Sequence, residues 1–306
     1  MTEGIVDVDR EAGTTLIISI LNYCSPQETS KCIRSLDHAG AGIPHRFIVA
    51  DHSQQSQIDL MKAELDPAVL SLINFRHSPE NPGFGAGHNR NFDTCKWGKK
   101  DVFLIVNNDI EVRDSRVLAE MMWHCVPRTL VGCVITRSED GAVWFAGGKI
   151  NRITGDVEAE RRRPGGATVE SDILCGCCIM TCASDFADLN GFDEDFFMYA
   201  EDLDLALRAA KSGYRLVIVN RSLEHQVGSG YAGRYSSLYL YENTKNRLIC
   251  LKRHRLGLPL IRESYFVFKY LLVRLVQLFL FSQTPVEQSK VVMRAFVDGL
   301  KARKAT

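Results

Sequence analysis

The chain has 306 residues, 45% of them hydrophobic and 24% charged, so it can bury a sizeable core, which excludes a chain too short or too polar to fold by itself. Its formal net charge of zero hides an asymmetry: from Lys252 onward 11 Lys and Arg face three Asp and Glu, whereas the preceding residues hold 26 basic and 34 acidic side chains. An acidic body with a basic tail excludes nucleic acid as the expected partner of the body and predicts that the tail meets something anionic.

Residues 1–13 are polar and acidic and read as an N-terminal extension without the apolar stretch of a signal peptide. Ten cysteines lie mostly in apolar stretches, as reduced core thiols do, and a cytoplasmic protein is expected. The cluster Cys175, Cys177, Cys178 and Cys182 lacks paired CxxC spacing and a nearby His, so it is expected to be buried packing rather than a metal site.

The run Thr15–Leu21 is apolar and β-branched at Ile17, Ile18 and Ile20, as in a strand buried on both faces. Ser25-Pro26 opens a helix to about Leu36, with Pro in its first turn. Arg46–Ala50 is a second buried strand, ending at Asp51-His52-Ser53, and a helix follows near Ser56–Glu64. Leu72–Arg76 is a third strand; the glycine-rich loop Asn81-Pro82-Gly83-Phe84-Gly85-Ala86-Gly87 then leads into a helix to about Trp97. Val102–Val106 is a fourth strand, ending at Asn107-Asn108-Asp109. Strand–helix alternation predicts an α/β fold with a mainly parallel, Rossmann-like central sheet flanked by helices. Ligands gather at the carboxyl ends of such strands, where all three polar clusters fall.

Residues 130–180 alternate apolar positions with turn signals and read as mixed sheet, and Glu160–Gly166 as an exposed loop. Phe196-Phe197-Met198-Tyr199-Ala200 then delivers Glu201, Asp202 and Asp204 to the start of a helix. Carboxylates there are favoured by the free backbone N–H groups. Partial burial beside other carboxylates also raises proton affinity toward values useful for a base. Cap and base are both open readings of the pair.

Residues 258–281 are strongly apolar but interrupted by charge, which disfavours a spanning helix. On a helix, Arg262, Glu263, Lys269, Arg274 and Gln277 fall within an arc of roughly 140°. A wide apolar face beside a basic stripe suits a helix lying in a membrane interface through residues 256–281. The alternative is a helix packed on the catalytic domain or on a second subunit of a homo-oligomer.

Asp51, at a strand end, can accept from a nucleobase or ribose, or simply cap a turn. The glycine stretch can bring backbone to a phosphate. It is not the dinucleotide fingerprint, because His88 stands where the third glycine falls, and no Gly-Lys-Ser/Thr of a P-loop follows. Asp109, with amides beside it, can hold a hard divalent cation, and His225 can be a second ligand, which tilts the choice from Mg²⁺ toward Mn²⁺. The alternative for His225 is a loop residue without a metal.

The ordered set Ile18-Ser19-Ile20-Leu21-Asn22-Tyr23, Val49–Ser53, Asn81–Asn89, Asn107–Asp109, Asn190–Asp204 and Glu224–Ser229 resembles glycosyltransferase family 2 of GT-A fold, in its bacterial rhamnosyltransferase-like branch, over residues 14–250. The resemblance implies Asp202 as catalytic base with Glu201 in support, and Asp109 and His225 as ligands of Mg²⁺ or Mn²⁺. It implies donor contacts from Asp51, Ser53, Gly83, Phe84, Gly85, Asn89, Asn107, Asn108 and Arg247. Asn107 replaces the first Asp of the family's Asp-x-Asp motif, and Lys245-Asn246-Arg247 stands where an Arg-Asn pair is usual. The implied donor is a dTDP- or UDP-sugar, with dTDP-rhamnose favoured. The implied acceptor is a surface glycan or lipid-linked saccharide, met at the cytoplasmic face of the inner membrane. Residues 251–306 form the basic amphipathic tail. A nucleotidyltransferase making a nucleotide sugar is the competing enzyme class, but Leu21-Asn22-Tyr23-Cys24 lacks its basic glycine-rich signature. A silent binding protein of the same fold is the third reading, against which Asp109, Asp202 and His225 stand together.

Overall fold

The computed structural model describes residues 13–226 and 236–302, so most of the N-terminal extension and the Val227–Gly230 part of the motif after His225 lie outside the described residues. β1 (Leu16–Asn22), β2 (His45–Asp51), β3 (Ile73–His77) and β4 (Val102–Val106) are parallel and lie side by side in the order β4-β1-β2-β3. Helices α1 (Pro26–Ala39), α2 (Ile58–Ala63), α3 (Pro67–Leu70) and α4 (Phe84–Asp93) connect them. The continuous apolar runs behave as read: Ile18, Ile20, Phe103, Leu104 and Ile105 are fully buried, because the sheet is covered on both faces. α4 starts at Phe84, so Gly85 and Gly87 belong to its first turns rather than to a loop.

The second half of the sheet is mixed, as the alternation over 130–180 predicts. β5 (Ile110–Glu111), α5 (Val117–His124), β6 (Thr129–Arg137) and β7 (Val143–Phe145) lead to a small hairpin of β8 (Gly148–Ile150) and β9 (Val157–Ala159). β10 (Thr168–Glu170), β11 (Cys178–Cys182), α6 (Ala183–Asp188), α7 (Glu201–Lys211) and β12 (Arg215–His225) follow. β11 enters antiparallel between β4 and β6, β12 runs parallel to β6, and the main order is β10-β12-β6-β11-β4-β1-β2-β3. Two cysteines of the 175–182 cluster, Cys177 and Cys178, are buried as packing, while Cys175 and Cys182 are only partly covered.

α8 (Ser237–Arg253) begins with Ser236, whose hydroxyl accepts from the Tyr239 N–H at 3.1 Å. It runs through position 250 and contacts both the sheet domain and the tail. α9 (Pro259–Phe266), a π-helical stretch Val267–Val273 and α10 (Arg274–Phe281) form one 23-residue helix, long and apolar enough to cross a membrane by length and composition alone. α11 (Pro285–Lys301) folds back against α8, where Val292 and Ala295 are fully buried.

The tail helix is oriented by its charges, opposite to a water-facing polar stripe. Lys269 pairs with buried Asp156, which also accepts from Tyr265 Oη at 3.0 Å and Tyr270 Oη at 2.9 Å. Arg274 lies over the Tyr239 ring, and Arg262 reaches the Leu256 carbonyl. The basic members of the stripe therefore dock on the protein, while Glu263 stays exposed and Leu260, Phe268, Leu272, Val276, Phe279 and Leu280 face outward. A buried carboxylate with three donors fixes a helix more firmly than an apolar contact can, which is why the stripe turns inward.

Candidate active site

The aromatic approach ends in two consecutive non-glycine residues with left-handed backbone, Tyr199 at φ 69° and Ala200 at φ 72°. Such conformations cost free energy and persist only when neighbours hold them. Here the Nδ2 of buried Asn246 donates to the carbonyls of Met198 at 2.9 Å and Tyr199 at 3.1 Å, and to Glu242 Oε2 at 2.9 Å. The turn lets α7 start at Glu201, as the carboxylate cluster predicts.

Asp202 Oδ2 accepts from the Gly176 N–H at 2.9 Å and Oδ1 from the Leu203 N–H at 2.7 Å. Burial raises its pKa; those two N–H groups and the Arg247 charge oppose the rise, and the net direction is upward. Glu201 is 6% exposed and its Oε2 has no hydrogen-bond partner. Burial first, then the Asp202 and Glu242 charges, push it well above the ordinary range. Two adjacent carboxyls in one buried place do not both ionise readily. Glu201, without a donor on Oε2, is pushed up the more strongly, whereas two N–H donors favour the anion of Asp202. Asp204 has a separate structural role: fully buried, it accepts from Arg208 Nε at 2.7 Å and meets His254 Nε2 at 2.7 Å, joining α7 to the end of α8.

Asp109 and His225 come together because β5 pairs antiparallel with the end of β12, with His225 opposite Ile110. Asp109 Oδ1 and His225 Nε2 are 3.1 Å apart, both mostly covered, and the Trp144 ring lies 5.5 Å from the imidazole. No group of three or more His, Cys, Asp or Glu suited to a metal occurs among the described residues. A carboxylate oxygen and an imidazole nitrogen at one place fit a Mn²⁺ or Mg²⁺ ion whose other ligands come from a diphosphate and water. Asn107 contributes no charge there.

One short segment touches both clusters. Gly176 N–H holds Asp202, and the next residue, Cys177, accepts at its carbonyl from the Asn107 N–H at 3.1 Å. Residues 107–109 and 202 therefore flank the same two-residue step at the start of β11.

The third cluster is built differently from a free ligand contact. Asp51 is fully buried; Oδ1 accepts from Asn22 Nδ2 at 2.9 Å and the Ser53 N–H at 3.1 Å, and Oδ2 from the Gln57 N–H at 2.6 Å. Burial raises its pKa, but the bonds from Gln57, Ser53 and Asn22 prevail and hold it below the usual range. Asn22 Oδ1 in turn accepts from Thr29 Oγ1 at 2.8 Å, and Thr29 Oγ1 from Asn108 Nδ2 at 2.9 Å. This chain ties the end of β2 to the end of β4.

The glycines serve close packing. A Cβ on Gly83, at φ 92°, would fall 2.2 Å from the Phe197 carbonyl oxygen, which accepts from the Phe84 N–H at 2.9 Å. A Cβ on Gly85 would meet Phe192 at 2.8 Å. Asn89 exchanges two 2.9 Å hydrogen bonds with the Phe192 backbone. Gly83, Gly85 and Asn89 thus join the glycine stretch to the segment carrying Glu201-Asp202, rather than offering backbone to solvent. Arg247 stacks beside Tyr270 and donates to its hydroxyl at 3.2 Å.

Asn22 and Asn246 stand in motifs that carry the resemblance, but their positioning roles escape the sequence reading; Gly176 and Asp156 have no local pattern that marks them. A cleft of about 500 Å³ between Asp172, Tyr214 and Arg255 contains none of the predicted site residues.

Residues 164–229 match a family described as the N-terminal domain of galactosyltransferase. An 86-residue segment is 36% identical to the N-acetylglucosaminyl-diphospho-decaprenol L-rhamnosyltransferase of Mycobacterium tuberculosis, spanning 28% of this chain and 27% of that protein. A 45-residue segment is 47% identical to rhamnosyltransferase WbbL of Escherichia coli K12, spanning 15% and 17%. The matched segments thus span under a third of those relatives. In fold the chain is similar to GalNAc-T7 solved with UDP, GalNAc and Mn²⁺ (TM-score 0.60, 13% identity, 94% of this chain and 55% of that one). It is also similar to the mannosyltransferase PcManGT of Pyrobaculum calidifontis with GDP-Man and Mn²⁺ (TM-score 0.55, 14% identity, 95% and 76%). The GT-A fold is the fold of this chain, and over these short segments its sequence is similar to rhamnosyltransferases.

Proposed function

We propose that the protein is an inverting glycosyltransferase that moves a sugar from a nucleotide-sugar donor, with dTDP-rhamnose favoured, to a hydroxyl of a surface-glycan or lipid-linked saccharide. The observation that carries this reading is the Gly176-Cys177 step, which sets Asp202 on one side and the Asn107–Asp109 strand end on the other. A base for the acceptor and a holder for the donor diphosphate need that proximity.

Asp202 takes the proton of the acceptor hydroxyl as that oxygen attacks the anomeric carbon from the face opposite the leaving diphosphate, so the configuration inverts. Its raised pKa brings its conjugate acid nearer neutral pH, and Glu201, pushed up the more strongly, leaves the negative charge on Asp202. Asp109 and His225 would hold Mn²⁺ or Mg²⁺, which supplies positive charge to the departing nucleoside diphosphate. Asp51 and Ser53, through the Asn22–Thr29–Asn108 chain, shape the strand ends where the nucleoside would lie, and Arg247 adds positive charge near Asp202.

The outward apolar face of α9–α10 extends the proposal to a peripheral membrane contact at the cytoplasmic face. Exposed Lys290, Arg294 and Lys301 of α11 supply positive charge for anionic headgroups. Titration of the purified protein with dTDP and UDP, with and without Mn²⁺, followed by transfer assays on a nucleotide-sugar panel, tests the reading. Binding of neither nucleotide would overturn it.

A further inference from the structure

Cys175 and Cys177 flank the glycine whose N–H holds Asp202, and their Sγ atoms are 3.2 Å apart. That is closer than two sulfurs rest in ordinary contact, and each additional tenth of an ångström lost leads toward a bond of about 2.05 Å. Cys175 is partly exposed, so a small oxidant reaches it, whereas Cys177 is buried and waits behind it. The Cys177 carbonyl holds Asn107, and the Cys178 N–H returns to the Cys175 carbonyl at 3.1 Å, so the segment is a tight turn. A Cβ on Gly176 would lie 3.3 Å from Asp202 and 3.5 Å from the Phe84 ring, so this turn packs directly on the site.

We propose that Cys175 and Cys177 form a reversible thiol–disulfide pair, closed by a hydroperoxide, that withdraws the Gly176 N–H from Asp202. The Cys175 thiolate attacks the peroxide O–O bond, forming a sulfenic acid and releasing the alcohol, or water from hydrogen peroxide. The Cys177 sulfur then attacks the sulfenic sulfur; the S–S bond forms and the hydroxyl leaves with the thiol proton as water. Two thiols and one hydroperoxide give one disulfide, one alcohol and one water, and the two thiol electrons reduce the O–O bond. An external dithiol reverses the step by exchange. Closing the eleven-membered ring rotates the Gly176 peptide plane, and Asp202 loses one of the two N–H donors on its anion.

The bridge itself is tested independently of the transferase reading on which its consequence for activity rests. The full chain is treated with hydrogen peroxide, blocked, digested and weighed. The peptide carrying Cys175 and Cys177 should lose two hydrogens and regain them with dithiothreitol. Hydrogen exchange at the Gly176 amide should quicken in the bridged form, and transfer should fall by about tenfold or more and recover on reduction. Cys175→Ser, judged against its own untreated sample, should lose all three responses, and Cys182→Ser should keep them. Over-oxidation of Cys175 to sulfinic acid without a bridge overturns the proposal. A bridge that leaves Gly176 exchange unchanged overturns the coupling to Asp202. If the bridge and the exchange response appear but no sugar is transferred by any sample, the pair stands and the transferase reading falls.

Discussion

Asn246 donates to the Tyr199 carbonyl at 3.1 Å, and so a residue of α8 holds the left-handed turn from which α7 begins. The same amide nitrogen reaches Met198 and Glu242, so one side chain holds the turn from which Glu201 and Asp202 emerge. Its hydrogen bonds go to neither carboxylate of that pair; its effect is on position.

Asn246→Ala should therefore lower kcat more than it raises KM, and reduce stability by about 1–3 kcal/mol, the cost of leaving partly buried carbonyls unpaired. Steady-state kinetics and urea unfolding read the two effects. A variant with wild-type kcat would show that the turn holds itself.

Asp202→Asn removes the base while keeping shape, so transfer should fall by about 10²–10⁴-fold with donor affinity nearly intact. In the native protein, log kcat should drop on the acid side, with its midpoint above the carboxylate's ordinary value because the folded pKa is raised. Protonation there removes the base, so activity rises with pH through that midpoint. Titration of nucleotide into the variant, beside a pH–rate profile of the native protein, checks both. Lost donor affinity with surviving turnover would reassign the residue.

Much of this arrangement is legible in the sequence, for a physical reason. β1, β2 and β4 are buried on both faces, so their apolar runs stand out, and polar residues directly after Ala50 and Val106 mark the strand ends. Glu201-Asp202 is legible because helix starts attract carboxylates. The partners of those groups are not legible. Asp156 lies 113 residues from Lys269, and no local pattern shows that it turns the tail's charged stripe inward. Gly83 and Gly85 were readable as needed glycines, but whether a phosphate or Phe197 and Phe192 approaches them depends on packing that periodicity does not encode.

Asp204 links stability to pH. Burial raises its pKa, but the bonds from His254 and Arg208 prevail and hold it low. Its stabilisation is therefore present above the unfolded carboxylate value of about 3.9 and is lost as pH falls through the lowered folded value. Asp204→Ala leaves Arg208 and His254 without their buried partner and should cost about 3–5 kcal/mol at neutral pH. Denaturant unfolding at pH 7 and near pH 3 should show this gap narrowing in acid; a constant gap would exclude ionised Asp204 as its source.

Asp109→Asn and His225→Ala each remove one of the two groups that would bind the cation. Each should weaken Mn²⁺-dependent nucleotide binding while leaving metal-free binding unchanged, because both side chains sit where β5 meets β12 and neither belongs to the Asp51 network. Calorimetry with and without Mn²⁺ separates the two contributions. Equal losses in both conditions would mean that the Asp109–His225 pair shapes the strand end rather than holding a metal.

The tail offers a different kind of test, because its two surfaces make opposite predictions. Lys269, Tyr265 and Tyr270 bind Asp156 on the inner side, while Phe268, Phe279 and Leu280 are exposed on the outer side among the described residues. Replacing the three outer residues by Glu should abolish sedimentation with anionic vesicles and leave thermal unfolding nearly unchanged, since exposed positions contribute little to folding. Asp156→Asn should do the reverse: it weakens the anchor of Lys269 and lowers stability while the apolar face remains available to lipid. If the outer triple substitution destabilised the protein and left vesicle binding intact, α9–α10 would be a buried interface with a second subunit, and the apolar face would be explained by protein rather than membrane.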